Sequence, residues 1–587
     1  MGKKEKYPKI KEKEYSKEIE RIYKKYKIPK KRKTFEEICY PKKYKLQIPQ
    51  KFVSKYINPE TPYKGVLVFH RIGAGKTCTA VRIGEEWKKK RKIIVVTPAS
   101  LVGNFRDELR SQCGEEEYIT NKERKRIEEI KPSEKEYKEI IRKSDERIDK
   151  YYKIMSYNKF IKEYEEKKIN LKKKVLIIDE IQNMISEQGK YYKILKEAIK
   201  KAPEDLRVVL LSATPMFDKP IEIALTMNLL KLPLEIPTGT EFNKTFIECK
   251  KNKRGDKCIC KAKNMDMFKE MIKGYVSYYR GAPPYAFPES KIKYVKCEMS
   301  EFQYRSYITV LKDEEEKLKI NKKNKKYKIF KEGQINEMPN NFFIGTRIIS
   351  NVAFPNKGIK EEGVESFKGK KLELENLKNY SIKFYKIMKK IKRLKGTGFI
   401  YSNFRETGGL ESLIKVLEYH GYKDYGEYGE GKKRYAVWSG SEKAEYKNEI
   451  KAVFNNEKNK KGNKIKLILG SSSMKEGVTL KRVQQVHILE PYWNLSRIEQ
   501  IIGRAVRYCS HKDLEEEKRK VKVYIYMAVN KNEKETIDEY IKKMAIKKNN
   551  LIEEFTTAMK EIAIDCTLFK HGNVYKDLGE KDIKCEK

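Results

Sequence analysis

A chain of 587 residues exceeds what one core usually holds, so two or more domains are expected. Charged residues make up 37% and the mean hydropathy is -0.78. No apolar run approaches the roughly 18 to 20 residues that span a bilayer, which predicts a soluble protein and excludes a helical membrane protein. Lys and Arg number 133 against 84 Asp and Glu, a formal charge of +49, and such a field draws polyanions, nucleic acid first. The abundance of Ile, Asn and Tyr beside Lys points to a compositional bias that accounts for part of that excess.

Residues 1–35 are rich in Lys and Glu with Tyr interspersed and read as a basic arm, either a frayed helix or a solvated tail. Met1-Gly2-Lys3-Lys4 lacks the apolar core of a secretory signal. Ten cysteines show no paired C-x-x-C, and Cys249, Cys258 and Cys260 fit no common zinc spacing, so free thiols in a reducing, cytoplasmic setting are expected. Gln50 precedes Lys76 by 26 residues, a separation at which helicase-type motors place an adenine-recognising glutamine.

The stretch Gly65–Thr79 organises the rest of the chain. Val66 to Phe69 has the β-branched, apolar character of a buried strand, it breaks at Gly73-Ala74-Gly75-Lys76-Thr77, and a helix begins by Ala80. A strand, a glycine turn and a helix N-terminus converge unpaired N–H groups and a favourable dipole on one point, an anion site. Lys76 can reach the β- and γ-phosphates and the Thr77 hydroxyl can hold Mg²⁺. His70 stands where a phosphate loop normally has its first glycine.

Lys92 to Val96 reads as a second buried strand ending in Thr97-Pro98, where Thr97 can meet a nucleic-acid phosphate. The charged interval 114–150 predicts an exposed helical insertion. Val175 to Ile178 delivers Asp179 and Glu180 at a strand end, where burial without a cation is costly. Asp179 suits Mg²⁺, and Glu180 suits polarising the attacking water. Arg207 to Leu211 leads to Ser212-Ala213-Thr214, small hydroxyl residues able to link the carboxylates to the opposite lobe by short hydrogen bonds. From Phe217 to Tyr380 the chain is too long for a linker. It holds helix-compatible stretches, a Lys-rich run from Asn321 to Lys328 expected to be disordered, and Tyr278-Tyr279-Arg280-Gly281, which could stack bases or pack beneath a loop, packing being favoured.

A second α/β unit comes next. Gly398 to Phe404 reads as a strand entering a loop, a helix from Gly409 to Tyr419 follows, then the stretch Tyr435 to Gly440, and further strands are expected at 466–470 and 485–489. Gln500, Arg504 and Arg507 stand at i, i+4 and i+7, which would align them on one helical face pointed at an anion.

In order, GAGKT, TP, DEIQ, SAT, FIYSNF, EGVTL and QIIGRAVR resemble superfamily 2 helicases and translocases across roughly residues 45 to 530. More narrowly, the chain resembles the helicase-like ATPases of large cytoplasmic DNA viruses and cytoplasmic linear plasmids, which include the poxvirus early transcription factor small subunit and nucleoside triphosphatase I. That likeness rests on His70, Tyr56-Ile57-Asn58-Pro59, Gly274 to Arg280, Ser350 to Pro355, Trp493 to Arg497 and Ala563-Ile564-Asp565-Cys566. Gln182 departs from the His or Asp usual after Asp-Glu-x.

The resemblance implies an α/β chain of two RecA-like parallel-sheet lobes with a largely helical insertion and a C-terminal helical extension. Its divisions would be an arm at 1–35, lobe 1 at 36–230, insertion at 231–380, lobe 2 at 381–535 and extension at 536–587. It further implies that ATP and Mg²⁺ bind through Gln50, Gly73, Ala74, Gly75, Lys76, Thr77, Asp179 and Gly477. Gln500, Arg504 and Arg507 would sense the γ-phosphate. Thr97, Pro98, Asn403 and Thr479 would touch nucleic acid, and Gln182, Ser212 and Thr214 would couple the two events. The implied activity is a nucleic-acid-dependent ATPase acting on DNA in favour over RNA, in viral or plasmid transcription, beside a virus- or plasmid-encoded RNA polymerase or a second transcription factor subunit. An ATP-switched promoter-binding subunit and an RNA helicase are the alternatives. Viral factory or virion would be its cytoplasmic address.

Overall fold

The computed structural model describes residues 7–71, 73–130, 134–251, 258–323, 342–472, 474, 478–531 and 534–586. Two compact units emerge, Met1–Pro283 with Asn550–Lys587, and Pro284–Asn549.

The first unit is built on β1 (Gly65–His70), β2 (Lys92–Thr97), β3 (Tyr152–Ser156), β4 (Lys174–Ile178) and β5 (Arg207–Ser212). A separate antiparallel hairpin, β6 (Ile247–Lys251) and β7 (Cys258–Ala262), precedes β8 (Val276–Tyr279). The main sheet is all parallel in the order β3-β2-β4-β5-β1-β8. Its central strands are apolar throughout because helices cover both faces: Val66, Leu67 and Val68 are fully buried, as are Val175, Leu176 and Ile177. Trp87, Phe105 and Tyr152 fill the space between sheet and helices on one face. The interval 114–150 forms helices Asn121–Glu129 and Lys135–Asp149, largely exposed and held by Ile148 and an Arg147–Glu123 ion pair at 2.7 Å.

The N-terminal arm departs from the expectation of a frayed or solvated segment. Helix Tyr15–Ile22 turns Tyr15, Ile19 and the following Tyr23 into the core, and the Tyr15 hydroxyl meets that of Tyr56 at 2.6 Å. Tyr56 in turn donates to the Gly274 carbonyl at 2.7 Å and stacks on Tyr63 with ring centroids 4.2 Å apart. Apolar spacing at i, i+4 and i+8 outweighs the surrounding lysines.

The second unit carries β9 (Glu289–Glu298), β10 (Thr397–Tyr401), β11 (Lys423–Asp424), β12 (Arg434–Trp438), β13 (Leu467–Gly470), β14 (Val483–Ile488) and β15 (Lys520–Val529). They form one parallel sheet in the order β11-β12-β13-β10-β14-β15-β9. Phe384, Ile387 and Met388 of helix Ile382–Ile391 pack on one face; Ile450, Phe454 and Ile498 join the cluster on β10 and β13.

The insertion is mostly helical, with helices at Gly239–Phe246, Met265–Ile272, Glu301–Lys323, Ile344–Asn351 and Leu374–Tyr380. It also supplies an edge strand to each sheet, β8 and β9. Tyr278 lies within β8, buried at 4% exposure against Phe69, so that aromatic cluster packs. The run from Asn321 to Lys328 falls mostly outside the described residues. The cysteines depart from expectation. Cys78–Cys113, Cys249–Cys260 and Cys566–Cys585 are disulfide-bonded, because the fold closes sequence separations of 35, 11 and 19 residues. Cys297 is buried as a free thiol. Among the described residues no helix is long and apolar enough to cross a membrane.

Candidate active site

The site of the first unit lies at the carboxyl ends of β1, β4 and β5, where open parallel sheets bind ligands. After β1 the chain turns through Gly73 (φ 84°) and Gly75 (φ 67°), and Gly75 caps helix Lys76–Trp87. Gly75 is required twice over. Its φ is left-handed, and a Cβ there would stand 2.3 Å from Gln50 Nε2. No side chain of Gly75 caps the helix, and a helix N-terminus of this kind favours an anion.

Gln50 is buried on helix Ile48–Tyr56, donates to the Gly75 carbonyl at 3.4 Å and accepts from the Gln47 N–H at 2.8 Å. The predicted glutamine therefore does reach the loop. Ala74 is buried, and Lys76 and Thr77 are half-buried at the mouth.

Lys76 Nζ lies 2.6 Å from Glu180 Oε1, with side-chain exposures of 13% and 21%. Glu180 follows β4 in a left-handed conformation (φ 49°), held there by Tyr157, whose hydroxyl donates to the Asp179 and Glu180 carbonyls at 2.5 and 2.8 Å. Asp179 is nearly buried, and its Oδ1 accepts the Glu180 N–H at 2.9 Å. From Glu180 the chain of bonds continues. Gln182 Nε2 donates to Glu180 Oε2 at 2.6 Å, Ser212 Oγ donates to Gln182 Oε1 at 2.7 Å, and the Thr214 N–H donates to Ser212 Oγ at 3.0 Å. Five residues predicted separately thus form one path across three strand ends. Gln182 suits it because an amide donates to the acid and accepts from the serine at once, which Asp cannot.

Thr97 and Pro98 end β2 and are both buried; the Thr97 hydroxyl has no partner among the described residues. The loop residue expected at the nucleic-acid surface is thus sealed in this conformation.

In the second unit Asn403 follows β10, half-buried, with its N–H donated to the Glu490 carboxylate and its side chain accepting from the Tyr401 hydroxyl at 3.1 Å. Thr479 is half-buried, its carbonyl accepting from Asn455 at 2.7 Å. Gly477 lies outside the described residues. Gln500 sits on helix Leu495–Ile502, whereas Arg504 and Arg507 lie beyond its end, so the three do not stand on one helix as expected. Gly503 comes next, the Arg504 carbonyl accepts from the Leu480 N–H at 2.9 Å, and Ser510 Oγ accepts from the Arg507 N–H at 3.3 Å. Burial of Ala505 pulls this turn into the core.

Sequence reasoning missed a buried polar cluster beside Asn403. Glu490, 2% exposed, accepts from Ser402 and Asn351, and Lys383 bridges Asn351 Oδ1 (2.9 Å) and Asp538 Oδ2 (2.7 Å). Burial raises the Glu490 carboxyl above its usual range, opposed by the Lys383 charge. Arg347 lies between the Phe404 and Trp493 rings, 5.0 Å from each. The available signal was weak: an acid just past a strand, as at Asp179, but behind a strand that carries Gln484, Gln485 and His487 among its apolar residues.

Comparison with known proteins matches residues 30–343 to the SNF2-related domain and residues 383–509 to the helicase conserved C-terminal domain. The chain belongs to the SNF2-related helicases. Among these it is 52% identical to a protein provisionally named an ATP-dependent RNA helicase in Acanthamoeba polyphaga mimivirus, over 97% of each chain. A second mimivirus protein with the same provisional name is 27% identical over 94% of this chain and 78% of its own. The termination factor NPH-I homolog of African swine fever virus is 25% identical over 86% of this chain and 76% of its own. As an SNF2-related helicase the chain is an ATP-hydrolysing enzyme of the helicase or translocase type, and such domains use ATP with a divalent cation. The residues present fit that requirement: a hydroxyl at Thr77, a carboxylate at Asp179 and a lysine paired with an acid at the start of a helix.

Proposed function

We propose that this helicase is a DNA-stimulated ATPase that translocates on or unwinds DNA during transcription of a large cytoplasmic DNA virus or a cytoplasmic linear plasmid. The observation that carries the reading is the path Lys76–Glu180–Gln182–Ser212. Triphosphate entering the loop competes with Glu180 for the Lys76 ammonium. Releasing Glu180 frees a carboxylate to orient the attacking water, and the same movement pulls on Gln182 and Ser212. Hydrolysis at the loop is thereby tied to elements beyond it.

Mg²⁺ held by Thr77 and Asp179 would neutralise charge on the β- and γ-phosphates. We assign Gln50 to the base, Gly73, Ala74, Gly75 and Gly477 to nucleotide binding, and Gln500, Arg504 and Arg507 to sensing the γ-phosphate. Thr97, Pro98, Asn403 and Thr479 are assigned to the nucleic-acid backbone, with the net charge of +49 favouring phosphate contact and marked salt dependence. A viral RNA polymerase or second transcription factor subunit is the proposed partner, in the cytoplasm, a viral factory or the virion. The name of the NPH-I homolog supports a transcription role, and that of the 52% identical relative supports RNA as a second activator.

The test is ATP turnover with single-stranded DNA, duplex DNA or RNA supplied alone, followed by strand displacement on the best activator. Stimulation by DNA above matched RNA supports the reading. Turnover without displacement and only with a partner subunit favours an ATP-switched promoter factor, and preference for RNA favours an RNA helicase.

A further inference from the structure

Three segments far apart in sequence meet at the start of the phosphate loop. His70, the last residue of β1, Ser277 of β8 and Asp565 of the C-terminal segment are each fully buried. His70 Nε2 lies 2.9 Å from Ser277 Oγ, Ser277 donates its hydroxyl to Asp565 Oδ2, and Asp565 Oδ1 accepts the Tyr278 N–H at 2.9 Å. The backbone supports the same contact. Arg71, the residue after His70, donates its N–H to the Tyr279 carbonyl at 2.9 Å, so pairing between β1 and β8 runs to the first residue of the loop.

β8 is an edge strand, and an edge leaves N–H and C=O groups to satisfy. The C-terminal segment satisfies them: the Ile564 N–H donates to the Val276 carbonyl (2.9 Å), Asn573 Nδ2 to the Tyr278 carbonyl (3.2 Å), and the Arg280 N–H to Asn573 Oδ1 (2.9 Å). Asp565 is thus delivered by a segment that replaces a missing strand.

Donor counting fixes the histidine. The Ser277 proton is spent on Asp565, so its oxygen accepts, and His70 Nε2 must carry the ring proton. Nδ1 is then a bare acceptor, buried and without a hydrogen-bond partner among the described residues, on the strand residue that leads toward the Gly73–Gly75 turn. An orphan acceptor is costly enough that it marks a bond made in another state of the loop.

We propose that Asp565 is a positioning residue for the phosphate loop: through Ser277 it orients His70 with Nδ1 as acceptor, and so makes the C-terminal segment a working part of the nucleotide site. This rests on the nucleotide reading of Lys76. His70 thereby does by a side-chain bond what the usual glycine does by backbone freedom, and the C-terminal segment acquires a direct route to ATP affinity.

The experiment compares wild type, Asp565→Asn and Ser277→Ala in the full chain, by ATP titration and by hydrogen exchange of residues 65–80 without nucleotide. Asn donates to Ser277, which turns the serine hydroxyl toward His70 and moves the ring proton to Nδ1. The expected result is a KM for ATP raised about 10-fold with kcat within about twofold, one buried hydrogen bond's worth, and faster exchange confined to the loop. Ser277→Ala, which cuts the link while keeping the aspartate, is expected to do the same. Unchanged KM and unchanged loop exchange in both variants overturns the proposal, as does exchange that rises equally across the unit. A wild type that neither binds nor turns over ATP overturns the nucleotide reading instead, and the exchange data on unliganded protein still decide the positioning claim.

Discussion

The loops after β4 and β14 both carry acids near their start, and their fates differ. β4 hands on to Asp179 and Glu180, and Glu180 keeps 21% of its side chain exposed against a lysine that is 13% exposed. β14 hands on to Glu490, which is sealed at 2% beside a Lys383–Asp538 pair exposed at 0% and 1%. Both acids are hydrogen-bonded to groups from neighbouring strand ends. Only the first is bonded to a cation that a competing anion can reach. The difference separates a partly exposed acid paired with a partly exposed lysine from acids sealed in the core, and exposure rather than the bare presence of a carboxylate carries the distinction.

The largest effect expected from breaking this contrast is on turnover. Lys76→Ala and Glu180→Gln should each lower kcat about a thousandfold, the scale of one preorganised charged group, while circular dichroism and melting stay near wild type. In the second unit the order reverses. Lys383→Met leaves Asp538 buried without its cation and should cost about 3 to 5 kcal/mol of stability by urea unfolding, with turnover per folded molecule little changed. Gly75→Ala falls between the two in kind: steady-state kinetics should show weakened nucleotide binding, and backbone strain of about 1 to 2 kcal/mol should persist when Gln50→Ala relieves the clash. Ser212→Ala should leave basal turnover within about threefold and reduce its stimulation by nucleic acid, since it cuts the path beyond Gln182.

The smallest effect is a pH slope. Burial holds the His487 imidazole down at about 3 and His511 at about 4, so the folded chain resists protons that the unfolded chain accepts. Stability therefore rises with pH from about 4 to the usual histidine value near 6.5, and falls as pH drops through that window. His487→Gln should flatten the slope of unfolding free energy against pH there by about one proton, without altering turnover at neutral pH.

The parts legible in sequence were those written in one short stretch. Gly73 to Thr77 form the expected turn and Asp179-Glu180 the expected strand-end acids because backbone freedom and strand-end charge are local properties, and Gln50, singled out by its distance from Lys76, reaches the Gly75 carbonyl. What was illegible depended on pairing across hundreds of residues. Nothing local says that Glu289 to Glu298 will lie beside Lys520 to Val529, or that Asp565 will meet Ser277. The helix through Gln500 was extended too far because an apolar Ala505-Val506 continues its period, whereas the helix ends at Ile502 and a turn carries Ala505 into the core. The arm was misread because lysines outnumber the three residues, Tyr15, Ile19 and Tyr23, that decide its docking.

The central claim is that strand ends of the first unit hold a triphosphate whose hydrolysis answers to nucleic acid. Its most direct measurement is ATP turnover by wild type and Lys76→Ala protein with and without single-stranded DNA. The account predicts stimulation of the wild type by DNA and no turnover by the variant under either condition; equal turnover by the two proteins, or a wild type indifferent to every nucleic acid, would contradict it.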